Sequence, residues 1–174
     1  MKKALSVAAA VLIFLFSAAG CEKQMIGEKT PPPLPESFSA NVEAVYNTTA
    51  INAQFIQKSR DEFSVKILSP EILTPLTVNF KSGICTLNYD GLDFKSDFSR
   101  FPQTEFGKLL IQAISDIKAD IDIAKTYSDG IWSYSGSGER GVFVLTRDAE
   151  TGAFLEFEIE GAPLHIVFKD FKID

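Results

Sequence analysis

The stretch FSVKILSPEILTPLTVNFKSGICTLNYDG, residues 63–91, decides the fold. Phe63, Val65 and Ile67 alternate with Ser64 and Lys66, and Leu76, Val78 and Phe80 alternate with Thr77 and Asn79. A period of two sends alternate side chains to opposite faces of a strand. Ser82-Gly83 turns the chain into Ile84–Tyr89, and Asp90-Gly91 marks the next turn. Apolar alternation bounded by turn residues reads as an antiparallel meander.

The same pattern extends upstream. Phe38, Ala40, Val42 and Ala44 suggest one strand. Ile51, Ala53 and Phe55 suggest a second, with Asn52, Gln54 and Lys58 on its other side. Downstream the period changes. Phe106, Leu109, Leu110, Ala113, Ile114 and Ile117 form one face of an amphipathic helix, and Pro102 sits near its start, where a missing N–H costs nothing. Asp116 and Asp120 fall on its polar side. Strands resume after the turn Tyr127-Ser-Asp-Gly130. Ile131–Ser135 is one, and Val142–Thr146, apolar on both faces, is expected to be central. The loop Asp148-Ala-Glu-Thr-Gly152 reads as a hairpin. Leu155, Phe157 and Ile159 alternate with Glu156, Glu158 and Glu160, and Leu164, Ile166 and Phe168 close the sheet. The expected class is α+β: one curved, mostly antiparallel sheet of about ten strands with one main helix. A helix of about fifteen residues, near 22 Å long, covers only part of such a sheet. Either the sheet wraps toward a barrel or apolar surface stays open to a ligand.

The N-terminal segment has a different logic. Lys2 and Lys3 precede an uncharged apolar run, Ala4–Phe16, then Ser17-Ala18-Ala19-Gly20 and Cys21. This is the order of a secretory signal, and Ala-Ala-Gly-Cys resembles a bacterial lipobox. Residues 1–20 are expected to be a lipoprotein signal peptide, with Cys21 lipidated by acyl chains such as palmitate and held at a membrane. Residues 21–37 then form the lipidated Cys and a tether, stiffened by Pro31, Pro32, Pro33 and Pro35. Residues 38–174 are expected to be one domain, large enough to bury a core without staples. Loss of residues 1–20 removes Lys2 and Lys3 and no acid, so 15 basic residues face 23 acidic ones, a charge of −8. Such a balance argues against nucleic acid as a partner. Cys85, within Ile84-Cys85-Thr86-Leu87, reads as a small buried hydrophobe.

The order of these pieces resembles the LolA/LolB-like lipoprotein-carrier superfamily, which includes the LppX-type lipid-binding lipoproteins of mycobacteria. The resemblance rests on Phe63–Leu68 running into Ser69-Pro70-Glu71-Ile72-Leu73, then Leu76–Phe80, a Ser-Gly turn and Leu87-Asn88-Tyr89-Asp90-Gly91. Asp148–Gly152 is similar to the family's D-x-x-T-G hairpin, and Val167-Phe168-Lys169-Asp170-Phe171-Lys172 to its closing strand. The resemblance spans roughly residues 38–174. It implies a half-open β-barrel with the helix at its concave side, and an apolar cavity that takes acyl chains of lipids or lipoproteins. The wall expected for such a cavity is Phe63, Val65, Ile67, Leu76, Val78, Phe80, Leu155 and Phe157, with Leu110 and Ile114 from the helix. The same positions serve as core if the barrel is filled. The LolA carriers also latch a lid with an arginine, and the sequence assigns that role to none of Arg60, Arg100, Arg140 or Arg147.

Other motifs carry little chemistry. Gly136-Ser-Gly-Glu-Arg-Gly141 matches G-x-G-x-x-G, but a dinucleotide site needs a helix next and Val142-Phe-Val-Leu-Thr146 reads as strand. His165 is the sole histidine and is expected on the outer face of an edge or late strand. Asp116, Asp120 and Asp122 match no calcium loop, and Glu156, Glu158 and Glu160 read as a solvated strand face. No nucleophile–base pair or metal cluster is visible, so the expectation is a non-enzymatic, extracytoplasmic, membrane-anchored lipid or lipoprotein binder without cofactor or metal. The alternative is an envelope sensor or scaffold that binds another protein through the sheet.

Overall fold

Eleven strands form one antiparallel sheet in the computed structural model, which describes residues 30–46, 48–82, 84–96, 102–161 and 164–173. In chain order they are β1 (Phe38–Tyr46), β2 (Thr49–Ser59), β3 (Glu62–Ser69), β4 (Leu76–Lys81), β5 (Ile84–Tyr89), β6 (Leu92–Ser96), β7 (Ala124–Ser128), β8 (Ile131–Gly138), β9 (Gly141–Asp148), β10 (Phe154–Ile159) and β11 (Leu164–Ile173). One α-helix, α1 (Pro102–Ala119), joins β6 to β7, and a 3₁₀ turn (Glu71–Leu73) joins β3 to β4. The spatial order is β6-β5-β4-β3-β2-β1-β11-β10-β9-β8-β7. The two ends never meet, so this is a half-open barrel with β6 and β7 as its edges. The last strand closes on the first and lies mid-sheet, which places His165 near the centre of the convex face.

The sequence expectation of about ten strands falls short at both ends. The strands it missed, β6 and β7, are the two edges. Both are five residues long, and β7 in addition carries few apolar residues to mark a period.

Burial follows the expected alternation elsewhere. Phe38, Ala40, Val42 and Ala44 of β1 are buried, as are Ile51, Ala53 and Phe55 of β2 and Phe63, Val65 and Ile67 of β3. The concave face carries an aromatic row, one ring per strand. Phe171 of β11 stacks on Phe38 of β1 at 5.0 Å, Phe38 on Phe55 of β2 at 5.6 Å and Phe55 on Phe63 of β3 at 5.7 Å, and Phe80 of β4 lies 5.0 Å from Phe63. Such pairs add about 0.5–1.5 kcal/mol each beyond area burial.

Helix α1 lies on this face and buries Phe106, Leu109, Leu110, Ala113, Ile114 and Ile117. Gly107 lets it approach: a Cβ there would stand 3.3 Å from Val65 Cγ2 and 3.4 Å from Phe63 Cε2.

Two expected alternations need correction. In β10 the pairing with β9 shifts between Phe154 and Glu156. This bulge turns Phe154 and Phe157 both inward and leaves Leu155 half-buried, outside the core. In β9 Phe143, Leu145 and Arg147 face inward, while Val142 is exposed, so the strand is buried on one face only.

The chain divides into two units, Met1–Thr30 and Pro31–Asp174, and the sheet and helix belong to the second. Pro31–Ser37, expected in the tether, therefore belong to the packed body, and Pro35 is buried. The expected signal peptide and Cys21 lie outside the described residues.

Candidate functional site

The concave face was expected to supply a cavity wall. The structure brings Phe63, Val65, Ile67, Val78, Leu110, Ile114 and Phe157 together there, all buried as core beneath α1. Leu76 and Phe80 are partly buried against the same cluster, and Leu155 is not part of it. Between α1 and the β8–β9 turn, against Phe143, Phe157 and Ile159, the remaining space is about 20 Å³, room for one water. The buried wall positions serve as core among the described residues.

The helix cannot cover all of the concave face. Eighteen residues make a helix about 27 Å long, whereas eleven strands at roughly 4.8 Å spacing span about 50 Å. Among the described residues the apolar surface left open lies at the outer margin of the wing β4–β6, where Val78 and Leu87 are still buried but Tyr89, Leu92 and Phe94 are exposed. Pairing carries the inward row Val65–Val78–Leu87 outward to Phe94, and the row from Leu76 through Tyr89 to Leu92. Leu87 is buried, but Phe94 is 51% exposed and Leu92 61%. Beside them Ile72 of the 3₁₀ turn is 76% exposed, and its carbonyl accepts a bond from Tyr89 Oη at 3.4 Å. The result is an apolar strip on the inner face of an edge.

A second constellation surrounds Arg147, which is 1% exposed. All five of its N–H groups have acceptors. Nε and Nη2 donate to Gly152 O at 3.1 and 2.8 Å; Nη1 donates to Pro32 O at 2.9 Å and to Tyr134 Oη at 3.5 Å; Nη2 also donates to Pro33 O at 3.1 Å. The guanidinium lies 5.4 Å from the Phe154 ring centroid. Burial lowers its affinity for the proton, and the Tyr134 bond partly restores it. Sequence reasoning missed this clasp. The signal was present in the parity of β9, where Arg147 follows Phe143 and Leu145 on the inward register.

Gly152 follows because of the hairpin. Asp148 Oδ1 accepts from Thr151 N at 2.7 Å, Thr151 Oγ1 at 2.7 Å and Glu150 N at 3.1 Å. These bonds, Thr151's first, hold the Asp148 carboxyl below the usual range. They form the loop that aims the Gly152 carbonyl at Arg147. Beside the clasp an open cleft of ≈ 380 Å³ is lined by Pro31–Leu34, Glu36, Ile117, Lys118, Lys125 and Tyr134. Its charges are matched: Lys118 Nζ is 3.8 Å from Glu36, and Lys125 Nζ is 2.6 Å from Asp120.

The remaining motifs resolve as structure. The glycine-rich run 136–141 is the β8–β9 turn. A Cβ on Gly136 would stand 2.7 Å from Ile123 Cδ1, and one on Gly141, at φ +132°, would stand 2.6 Å from Glu160 O. His165 Nε2 is 3.5 Å from Glu156 Oε2 on the convex face. Among the described residues no group of three His, Cys, Asp or Glu is placed to hold a metal. Burial raises the Cys85 thiol pKa.

No family model matches the chain, and no curated protein matches it in sequence. Solved structures do share its fold. An uncharacterized conserved protein from Thermus thermophilus superposes with a TM-score of 0.52 at 11% identity, covering 81% of this chain and 80% of that one. A chain from the structure of the CwlD amidase of Clostridioides difficile in complex with the GerS lipoprotein gives 0.52 at 18% identity, covering 88% and 91%. A LolA superfamily protein, NE2245 from Nitrosomonas europaea, gives 0.40 at 10% identity over 80% and 87%, a looser superposition. At these identities the likeness is one of fold.

Proposed function

We propose that the chain is an extracytoplasmic binding lipoprotein, anchored through Cys21, that docks the apolar surface of a protein partner on the concave side of the wing β4–β6 and catalyses no reaction. The observation that carries this is Phe94 standing open at the end of the buried row Val65–Val78–Leu87, beside a second row, Leu76–Tyr89–Leu92, that passes from half-buried to exposed toward the same edge. Apolar side chains grouped on a rim mark interaction surfaces. Phe63, Val65, Ile67 and Val78 are taken up as core, which favours a partner that binds outside the buried face. The anchor reading is supported by the order of Lys2-Lys3, the apolar run and Ala18-Ala19-Gly20-Cys21. The fold shared with a chain from a lipoprotein–amidase complex is consistent with a protein partner.

A second reading keeps acyl chains of lipids or lipoproteins as the ligand. The curved, open trough and the resemblance to lipoprotein carriers favour it. A chain would lie against Leu76, Tyr89, Leu92 and Phe94, at about 25 cal/mol per Å² of apolar surface removed from water.

One experiment separates them. A photo-crosslinking residue at position 94 is compared with one at position 158 on the convex face, in cells, with proteins and lipids both identified. A single protein crosslinked at 94 and not at 158 supports the first reading. Lipid crosslinked at 94, and lost from purified residues 22–174 on Leu92→Asp, establishes the second. Equal crosslinking at both positions sinks the wing as a site.

A further inference from the structure

We infer that the β6 edge is built to receive an extended peptide segment of a partner protein as a twelfth strand. The inference rests on the wing being the docking face and specifies how the partner is held.

The backbone supplies the first argument. Asp90 and Gly91, at φ +49° and +82°, join β5 to β6 as a two-residue turn. Such a turn closes on a hydrogen-bonded pair, here Tyr89–Leu92, and bonded and non-bonded pairs then alternate. Leu92, Phe94 and Ser96 therefore turn their backbone groups toward β5. Asp93 and Lys95, opposite Asn88 and Thr86, turn theirs outward. The edge offers two N–H donors and two carbonyl acceptors in register.

The side chains supply the second. Residues on an added strand facing inward would extend the rows that end at Phe94 and Leu92. Their apolar partners are missing on that side, since Leu92–Lys95 are all exposed.

The third argument is a contrast with the other edge. Natural sheets protect edges with inward-pointing charge, bulges or proline. On β7, Lys125 pairs with inward Tyr134, so its charge sits on the concave face, where it meets Asp120 at 2.6 Å. β6 is guarded only by its shortness and by Asp93 and Lys95, and carries no inward-pointing charge, bulge or proline. Its five residues pair with β5 without a bulge, and its charges alternate to the convex side. Asp93 there accepts from Asn88 Nδ2 at 2.8 Å, so Lys95 is the charge an incoming strand meets. The fitting segment has apolar residues at every second position and an acid opposite Lys95.

The test uses the full chain in phosphatidylcholine nanodiscs with a synthetic seven-residue peptide, Thr-Val-Asp-Val-Thr-Val-Thr, capped at both ends. Bound as a strand, it slows exchange of the Asp93 and Lys95 amides by at least about tenfold and leaves the Leu92 and Phe94 amides, already bonded to β5, little changed. Lys95→Pro removes one outward N–H and keeps the β5–β6 ladder. It weakens binding by about tenfold or more at an unchanged melting temperature. Phe94→Ser also weakens it. If Lys95→Pro binds as well as the parent while Phe94→Ser does not, strand addition is wrong and the wing still docks apolar groups. If neither substitution matters, strand addition and the docking face both fall. A dimer in peptide-free solution that Lys95→Pro dissociates would make the occupant a second copy and overturn the foreign segment.

Discussion

Replacing Arg147 by Met tests what holds the proline segment to the barrel. The substitution keeps the aliphatic bulk and removes five donors. Gly152 is itself buried within an exposed hairpin, and its carbonyl loses two bonds that water cannot readily replace, while the part-buried bonds to Pro32 O and Pro33 O give up about 0.5–1.5 kcal/mol each when exchanged for solvent. One orphaned buried carbonyl costs about 1–3 kcal/mol, and loss of the cation over Phe154 adds about 1 kcal/mol. Removing a buried charge returns part of this. The expected net loss is about 2–3 kcal/mol in urea unfolding of residues 22–174. A chain beginning at residue 38 lacks two of the acceptors, so there the same substitution costs at least about 1 kcal/mol less. An equal cost in the two backgrounds, or an unchanged urea midpoint in the longer chain, would refute the clasp.

Three further outcomes follow from the packing and electrostatics. Phe55→Ala, at a fully buried ring of the aromatic row, is expected to destabilise by about 3–5 kcal/mol in the same assay. Gly107→Leu drives a side chain into Val65 and Phe63, costs about 1–3 kcal/mol, and raises amide exchange along α1 more than in β9. Asp148 and Glu62 have lowered pKa values, from the Thr151 bonds and from the Lys81 ion pair at 2.9 Å. Their stabilisation is present above the unfolded carboxylate range and is lost as pH falls through and below about 4. Asp148→Asn should flatten the acid limb of the stability–pH curve there, and an unchanged limb would count against the hairpin bonds.

The meander and the helix were legible because their residues bury one face. Phe63, Val65 and Ile67, or Leu110 and Ile114, announce it by period alone. Three things were not. The edge β6 alternates Leu92 and Phe94 with Asp93 and Lys95 but over five residues only, too few to stand out, while β7, Ala-Lys-Thr-Tyr-Ser, has almost no apolar period and its last two residues, Tyr127 and Ser128, read as a turn. The β10 bulge moved the inward position from Leu155 to Phe154, which no strict alternation predicts. The ligand wall was legible as an apolar surface but not as core or cavity, because the same residues serve both and only the seat of α1 decides. The proline run read as a stalk because its partner, Arg147, lies 114 residues away in sequence from Pro33.

The clasp also changes the length of the leash. With Cys21 as the anchor, a tether reaching residue 37 would have let the body wander about 58 Å from the bilayer, at the fully extended limit of about 3.6 Å per residue. A packed body that starts at Pro31 leaves residues 22–30, a contour of about 32 Å. Under the proposed anchor, the barrel would work within a shell close to the membrane surface. The proposed anchor would thereby favour partners that are themselves surface-bound over those free in the surrounding space.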